Sequence, residues 1–179
     1  LSSFREIGDK LGIAMSLGDL AAQASYQGDH ERAKALIEES LALNRELGNK
    51  TGVLGSLLGL GRVVLKQGDP ERAKELYKEG LTLSRELGEK RHIANSLRLL
   101  GFVALGGEDH NRATQLLKES LVIYRELGIK QYIADCLEGL AGVAALQGGP
   151  ELGTRLLGAA ERIREVLGVP LTPSERSEV

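Results

Sequence analysis

Apolar residues recur along this chain at helical spacing, and the whole pattern repeats every 40 residues. The first half of each period carries an i, i+4, i+7, i+8 series typical of one buried helix face, seen first as Ile13, Leu17, Leu20 and Ala21. The second half carries a similar series, seen first as Leu36, Leu41, Leu43 and Leu47. Each period therefore predicts two amphipathic helices.

A fixed period of this length indicates stacked helical units that bury their apolar faces against their neighbours. The predicted repeats occupy residues 9–48, 49–88, 89–128 and 129–168. Turns of a few residues make the two helices of a pair antiparallel. We expect helix pairs at 9–27 with 30–47, 50–67 with 70–87, 90–106 with 110–127, and 130–147 with 150–167.

Helix punctuation agrees with this division. Asp69-Pro70-Glu71 offers a capping carboxylate and a proline at the first helical position. A glycine stands where a left-handed C-terminal cap is needed in every repeat, at Gly48, Gly88, Gly128 and Gly168.

The ends of the chain lie outside the four repeats. Residues 1–8 match residues 41–48, so we interpret them as the end of a preceding, truncated repeat that forms a partial helix. Residues 169–179 form a C-terminal tail. Because no initiator Met is present, we expect a piece excised from a longer protein. Glu161 replaces the leucine seen at Leu41, which predicts a terminal repeat with less to pack against.

Small residues recur where two helices of a pair must approach closely. The first helices carry Ala21, Gly61, Gly101 and Ala141, and the second helices carry Ala33, Ala73, Ala113 and Gly153. A further small series is Ser40, Gly80, Ser120 and Ala160. This arrangement resembles the tetratricopeptide repeat (TPR). The resemblance implies an all-α fold: a right-handed α-solenoid of four antiparallel helix hairpins, with first helices lining a concave groove.

The sequence also departs from the usual family pattern. The large aromatic residue early in the first helix is replaced by Leu17, Leu57, Leu97 or Leu137, and the closing proline is absent. Units of 40 residues look like those in bacterial signalling ATPases, LuxR-type transcriptional regulators and some nucleotide cyclases. The segment from Leu156 to Arg162 and the tail are similar to the C-terminal ends of such arrays.

Composition excludes several classes of partner. There are 23 Lys and Arg residues against 25 Asp and Glu, with a pI near 6.0, so no basic surplus is available for direct nucleic-acid binding. No apolar run approaches the roughly 18 residues of a membrane span, and no secretory signal is visible. The single cysteine, Cys136, cannot form an internal disulfide, which is expected in a reducing cytoplasm.

No residues form a recognisable catalytic, cofactor or metal site. His30 and His110 occupy helix starts where Pro70 and Pro150 also occur, and His92 has no metal-binding partner at suitable spacing. Cys136 takes the place of a serine in the other repeats, so it is interpreted as a small packed residue. We therefore expect a protein that is not an enzyme and that uses no cofactor.

A candidate binding surface comes from residues that flank the buried stripe of the first helices and differ between repeats. Its members are Tyr26, Leu58, Arg62, Lys66, Asn95, Arg98, Phe102, Asp135 and Glu138, with Met15 and Gly55 beside them. We expect a groove that is basic and partly apolar at its centre and acidic towards its C-terminal end. The hypothesis is that Arg62, Arg98 and their neighbours bind a peptide bearing carboxylates; the alternative is that these exposed residues are unconstrained.

Glycines within one predicted first helix allow two interpretations. Gly52, Gly55, Gly59 and Gly61 either permit close helix packing or open space for a ligand's backbone.

Three functions remain open from the sequence. The first is a protein or peptide interaction scaffold from a multidomain bacterial signalling or transcriptional regulator. The second is a small-ligand sensor that controls an attached ATPase, cyclase or DNA-binding domain. The third is a structural spacer, or a module that self-associates end to end.

Overall fold

The computed structural model describes residues 8–168, and these residues form α-helices joined by tight turns, with no strand among them. Two compact units divide at Gly88. The first contains α1 (Lys10–Tyr26), α2 (His30–Glu46), α3 (Lys50–Lys66) and α4 (Pro70–Glu86). The second contains α5 (Lys90–Gly106), α6 (His110–Leu127), α7 (Lys130–Leu146) and α8 (Pro150–Leu167).

The all-α fold of helix hairpins is confirmed, with every helix boundary within one residue of its expected position. The partial helix predicted near the N-terminus and the tail at 169–179 lie outside the described residues. Within residues 8–168, no helix combines the length and apolarity needed to cross a membrane.

Capping interactions explain why the helices begin and end where they do. The carboxylates of Asp29, Asp69 and Asp109 accept hydrogen bonds from the backbone N–H three residues later, at 3.0–3.1 Å. At the other end, all four predicted cap glycines have positive φ, between 63° and 69°. The predicted left-handed caps are therefore confirmed.

The two helices of each hairpin cross where their side chains are smallest. Ala33, Ala73 and Ala113 are completely buried in this crossing. A Cβ on Gly61 would lie 2.3 Å from the Tyr77 ring, so only glycine allows this approach. The predicted role of the small residues in close packing is therefore confirmed.

Buried hydroxyl groups tie the second helix of a hairpin to the first. The Ser40 hydroxyl donates to the Ala14 carbonyl at 2.8 Å, and the Ser120 hydroxyl donates to the Ala94 carbonyl at the same distance. The Cys136 thiol lies 3.5 Å from the Ser120 hydroxyl and is fully buried. Cys136 is thus a small packed residue, as expected, and burial raises the pKa of its thiol to about 11.

The last described helix is less buried than the other second helices. In α8 only Gly153 and Ala160 are buried, whereas α2 buries Ala33, Ile37 and further residues of the same face. Glu161 replaces an apolar residue on this helix and is exposed. The expectation that the fourth repeat buries less of its second helix is confirmed.

One turn within a hairpin departs from its equivalents. Gly28, Gly68 and Gly148 all have positive φ at the end of a first helix, but the equivalent residue of the third repeat is Glu108, with φ of 61°. The neighbouring Gly107 does not take this conformation. A non-glycine residue in the left-handed region is strained by about 1–2 kcal/mol.

We therefore predict that Glu108→Gly stabilises the chain by about 0.5–1 kcal/mol, since part of the relieved strain is offset by the entropy of glycine in the unfolded state. Thermal unfolding followed by circular dichroism should show a rise of about 2–3 °C. The reverse change at the equivalent turn, Gly68→Glu, should lower the melting temperature. A fall with Glu108→Gly would contradict the assigned strain.

Cys136 should resist thiol reagents in the folded protein, because its sulfur is buried and its raised pKa keeps it protonated at neutral pH. We expect Ellman's reagent to titrate it rapidly only in denaturant. An exposed thiol introduced by Lys118→Cys in a Cys136→Ser background provides the fast-reacting control. Equal native rates at the two positions would show that Cys136 is accessible.

Candidate functional site

An open groove of about 530 Å³ runs between α1 and α3 of the first unit, with α2 forming part of its floor. We call it the α1–α3 groove. Most of its lining residues are small or uncharged; they include Ala14, Gly18, Ala22, Ser25, Gly55, Ser56 and Gly59. The larger lining residues are two amides, two cations and three mostly apolar side chains: Asn44, Asn49, Arg62, Lys66, Met15, Tyr26 and Ile37. This is the volume range of many ligand-binding clefts.

Glycines give the groove its depth, but they do so in two different ways. A Cβ on Gly18 or Gly55 would meet no atom of the described residues within 4 Å, so these glycines leave open space in front of the helices. A Cβ on Gly52 would instead lie 2.0 Å from the Asn44 amide oxygen. Gly52 and Gly61 therefore serve close packing, whereas Gly55 leaves open space in the groove; the use of that space by a ligand stays a prediction.

Two cations stand at the end of the groove where α1 and α3 terminate. Arg62 and Lys66 are exposed, and they share one face of α3 because they are four residues apart. Within residues 8–168 neither side chain forms an ion pair or hydrogen bond, and no described carboxylate lines the groove. Tyr26, 95% exposed, lies at the same end. This end of the groove therefore carries an uncompensated positive charge.

The opposite end of the groove is neutral and internally hydrogen-bonded. The Asn49 amide donates to the Asn44 oxygen at 2.7 Å, and the Asn44 amide donates to the Ser40 carbonyl at 2.9 Å. The Asn49 oxygen caps α3 by accepting from the backbone N–H of Gly52. These amides are satisfied within the protein, so they hold the floor in place.

In the second unit, the facing surfaces of α5 and α7 are joined by an ion pair. The Arg98 guanidinium contacts the Asp135 carboxylate at 3.0 Å and also donates to the Asn95 amide oxygen at 3.0 Å. The side chains of Arg98 and Asp135 are only 13% and 19% exposed. This pair is therefore largely shielded from water.

Arg164, on α8, completes the network. It donates to both carboxylate oxygens of Glu138, at 2.6 and 2.8 Å, and to Asp135 at 2.8 Å. Burial raises the pKa of Asp135, although the charges of Arg98 and Arg164 oppose that rise. The hydrogen bonds to Glu138 raise the pKa of Arg164. The two arginines thus balance the two carboxylates.

Aromatic rings close the remaining space between α5 and α7. The Arg98 guanidinium carbon lies 4.9 Å from the centre of the Tyr132 ring, which in turn lies 4.9 Å from the Tyr124 ring. The Phe102 ring packs so closely against α7 that a Cβ on Gly139 would be 3.1 Å from it. Burial raises the pKa of Tyr124 and keeps its hydroxyl protonated.

The residues predicted to bind a partner therefore fall into two groups. Tyr26, Arg62 and Lys66 line one open groove. The predicted residues of the second unit contact Arg98 or Arg164 instead; these are Asn95, Arg98 itself, Phe102, Asp135 and Glu138. The expected acidic end of the binding surface does not carry free charge, because Arg98 and Arg164 neutralise its carboxylates.

The prediction that Leu58 faces the groove is wrong. Leu58 is only 3% exposed, and a Cβ on Gly80 would lie 3.0 Å from one of its methyl groups. The absence of a side chain at Gly80 creates the space on α4 that Leu58 occupies. Leu58 therefore belongs to the interior of its hairpin.

Sequence reasoning missed the residues that the second helices contribute. Asn44, Ser84, Tyr124 and Arg164 occupy equivalent positions in the four repeats, yet each is a different residue. The neighbouring positions are nearly constant, as in Arg45, Arg85 and Arg125. A varied position inside a constant helix was the available signal for a groove-facing residue.

Among the described residues, no group of three or more His, Cys, Asp or Glu side chains is arranged to hold a metal ion. The histidines at helix starts, His30 and His110, are the first residues of α2 and α6, as expected.

The fold is similar to that of several solved structures. BtubC (BKLC) from P. vanneervenii has a TM-score of 0.77 and 20% identity, covering 92% of this chain and 68% of that one. The apo form of RapI has a TM-score of 0.83 and 18% identity, covering 93% of this chain and 61% of RapI. A putative kinesin light chain with TPR-like repeats from P. anserina has a TM-score of 0.66 and 18% identity, covering 87% and 76%. Identities this low show a shared fold alone.

Sequence comparison identifies the family directly. No curated protein matches the chain. The sequence model of the tetratricopeptide repeat matches residues 12–86 and 53–126, which together span more than half of the chain. Repeats of this kind serve in general as scaffolds for protein interaction. The chain therefore belongs to the tetratricopeptide repeat family.

Proposed function

We propose that this chain is a protein-interaction scaffold whose first unit binds an acidic peptide in the α1–α3 groove. The observation that carries the proposal is that Arg62 and Lys66 stand at the end of a groove in which, among the described residues, they have no ion-pair partner and no carboxylate contributes to the lining. A peptide carboxylate would supply the missing opposite charge.

The geometry of the cations suits carboxylate recognition. An arginine guanidinium can donate two parallel hydrogen bonds to one carboxylate, and a lysine one turn away adds a flexible point charge. Because Arg62 and Lys66 lie at the open rim, a carboxylate bound to them would stay in contact with water, which keeps the desolvation cost small. Such contacts favour partner selection and fast association, and they weaken as salt concentration rises.

The open rim favours a peptide over a small enclosed ligand. Met15 is 66% exposed and Tyr26 is 95% exposed, so apolar surface continues out of the groove towards solvent. A peptide could extend along this surface, whereas a small sensor ligand would be expected in a closed cavity. The origin of the chain in a larger bacterial regulator and its location in the cytoplasm stay predictions.

The first test uses an array of immobilised dodecapeptides with Asp or Glu at varied positions, each paired with an otherwise identical Asn or Gln peptide. We expect preferential binding to the acidic members. The double variant Arg62→Glu/Lys66→Glu should bind the best acidic peptide at least tenfold more weakly, a change of about 1.4 kcal/mol. The reason is that the new glutamates repel the peptide carboxylates that the parent cations attract. Fluorescence anisotropy in solution measures this change.

The matched control is Arg32→Glu/Lys78→Glu, which makes the same change in net charge away from the groove. The affinity of this control for the same acidic peptide should stay within about threefold of the parent's affinity. Equal binding of acidic and amide peptides, or an unaffected charge-reversal variant, would refute the proposed site.

In the second unit, we predict a structural role for Arg164. Arg164→Met should destabilise the chain by about 2–3 kcal/mol, because the shielded Glu138 carboxylate would lose its counter-ion and Asp135 would keep only Arg98. The loss of stability should grow as pH rises through the pKa of Asp135, which burial raises, because one arginine fewer then offsets the charge of this carboxylate in the folded state. Thermal unfolding at several pH values measures both effects.

Two further variants make this test specific. Arg162→Met removes an exposed arginine from the same helix and should change stability by less than about 0.5 kcal/mol. Adding Glu138→Gln to Arg164→Met should recover part of the loss. If Arg162→Met and Arg164→Met lowered the stability equally, the ion pairs of Arg164 would contribute no more to stability than an exposed arginine does.

A further inference from the structure

The two units provide an internal comparison of the same groove. Helices α1 and α3 correspond to α5 and α7, shifted by 80 residues, or two periods. At the positions that face one another across the groove, the first unit has Gly18, Ala22, Gly52 and Gly55. The corresponding residues of the second unit are Arg98, Phe102, Tyr132 and Asp135.

In the second unit these larger side chains fill the space by themselves. Arg98 and Asp135 pair across it, Tyr132 stacks near the guanidinium, and Phe102 packs on the backbone of Gly139. Repeats of this length can therefore close the space between two first helices with their own side chains. The open groove of the first unit results from its particular residues.

The first unit gains no packing from its two open glycines. Between residues 8 and 168, no atom lies within 4 Å of the Cβ positions of Gly18 and Gly55, although glycine makes a helix less stable than alanine does. Gly52 differs, because Asn44 occupies the space beside it. The space above Gly18 and Gly55 is bounded by the exposed Met15 and Tyr26 side chains and by the two cations.

We infer that the peptide bound in the α1–α3 groove supplies what the second unit supplies to itself: a bulky aromatic side chain over Gly18 and Gly55, next to a carboxylate that pairs with Arg62 or Lys66. This inference rests on the proposed function and adds a shape requirement to it. Gly18 and Gly55 are then specificity-determining residues, because any larger side chain at these positions occupies the place of the ligand's ring.

The test places side chains of the second unit at the equivalent positions of the α1–α3 groove. Gly18→Arg/Gly55→Asp introduces the counterparts of Arg98 and Asp135, leaves the net charge unchanged and keeps Arg62 and Lys66. The probes are two labelled peptides of the same acidic sequence, one with Phe beside its glutamates and one with Ala in that position. The parent should bind the Phe peptide at least tenfold more tightly than the Ala peptide.

The filled variant, Gly18→Arg/Gly55→Asp, should no longer prefer the Phe peptide over the Ala peptide. Its affinity for the Phe peptide should be at least tenfold lower than that of the parent. Ala35→Arg/Ala42→Asp is the control, since it places the same two charges at exposed positions of α2 outside the groove, and it should retain affinity within threefold. Ala22→Phe, the counterpart of Phe102, provides a second filling variant at an exposed position if the first fails to fold by circular dichroism.

The outcomes distinguish the proposed acidic-peptide site from the inferred aromatic requirement at Gly18 and Gly55. Unchanged binding of the Phe peptide to a folded filled variant would overturn the inference about Gly18 and Gly55, whereas loss of binding on reversal of Arg62 and Lys66 would still support the acidic site. Equal binding of Phe and Ala peptides by the parent would also overturn the inference. Failure of the parent to bind either peptide would overturn both.

Discussion

The close crossing of the two helices within each hairpin is the contact on which the other features of this protein depend. Ala33, Ala73 and Ala113 are completely buried there, and the Tyr77 ring comes so near to Gly61 that a single added carbon would collide with it. Because this crossing is fixed by tiny side chains, the residues on the exposed side of each first helix are free to differ. The same backbone can then present an open groove in one unit and a filled interface in the other.

Differences between the grooves involve pairs of positions that change together. Asn44 requires glycine at position 52, since a Cβ there would lie 2.0 Å from its amide oxygen. In the second unit the corresponding residues are Tyr124 and Tyr132, whose rings lie 4.9 Å apart. A larger side chain at position 52 beside Asn44 would clash, and a smaller one at position 132 would leave a void beside Tyr124. Such coupling means that a change at one of these positions requires a matching change at the other.

Helix boundaries and caps could be predicted from the sequence because they depend on nearby residues, such as Asp69 at one end and Gly88 at the other. The candidate site was predictable only in part. Periodicity identified the face that carries Arg62, but it could not show that Leu58 would occupy the space beside Gly80. Nor could it show that Arg164 would reach Glu138 from a helix 26 residues further along the chain. Contacts of this kind depend on the distance between helices, which no local pattern encodes.

The electrostatic contrast between the units bears directly on ligand choice. In the second unit, Arg98 already pairs with Asp135, and burial raises the pKa of that carboxyl despite its two arginine neighbours. An incoming carboxylate would have to displace Asp135 from Arg98, which would leave the shielded Asp135 carboxylate with Arg164 alone, and this is unfavourable. At Arg62 and Lys66 it would replace only water. A shielded, self-paired network therefore disfavours an acidic peptide, whereas the exposed cations are the proposed site, where contacts with a carboxylate would be modest and sensitive to salt.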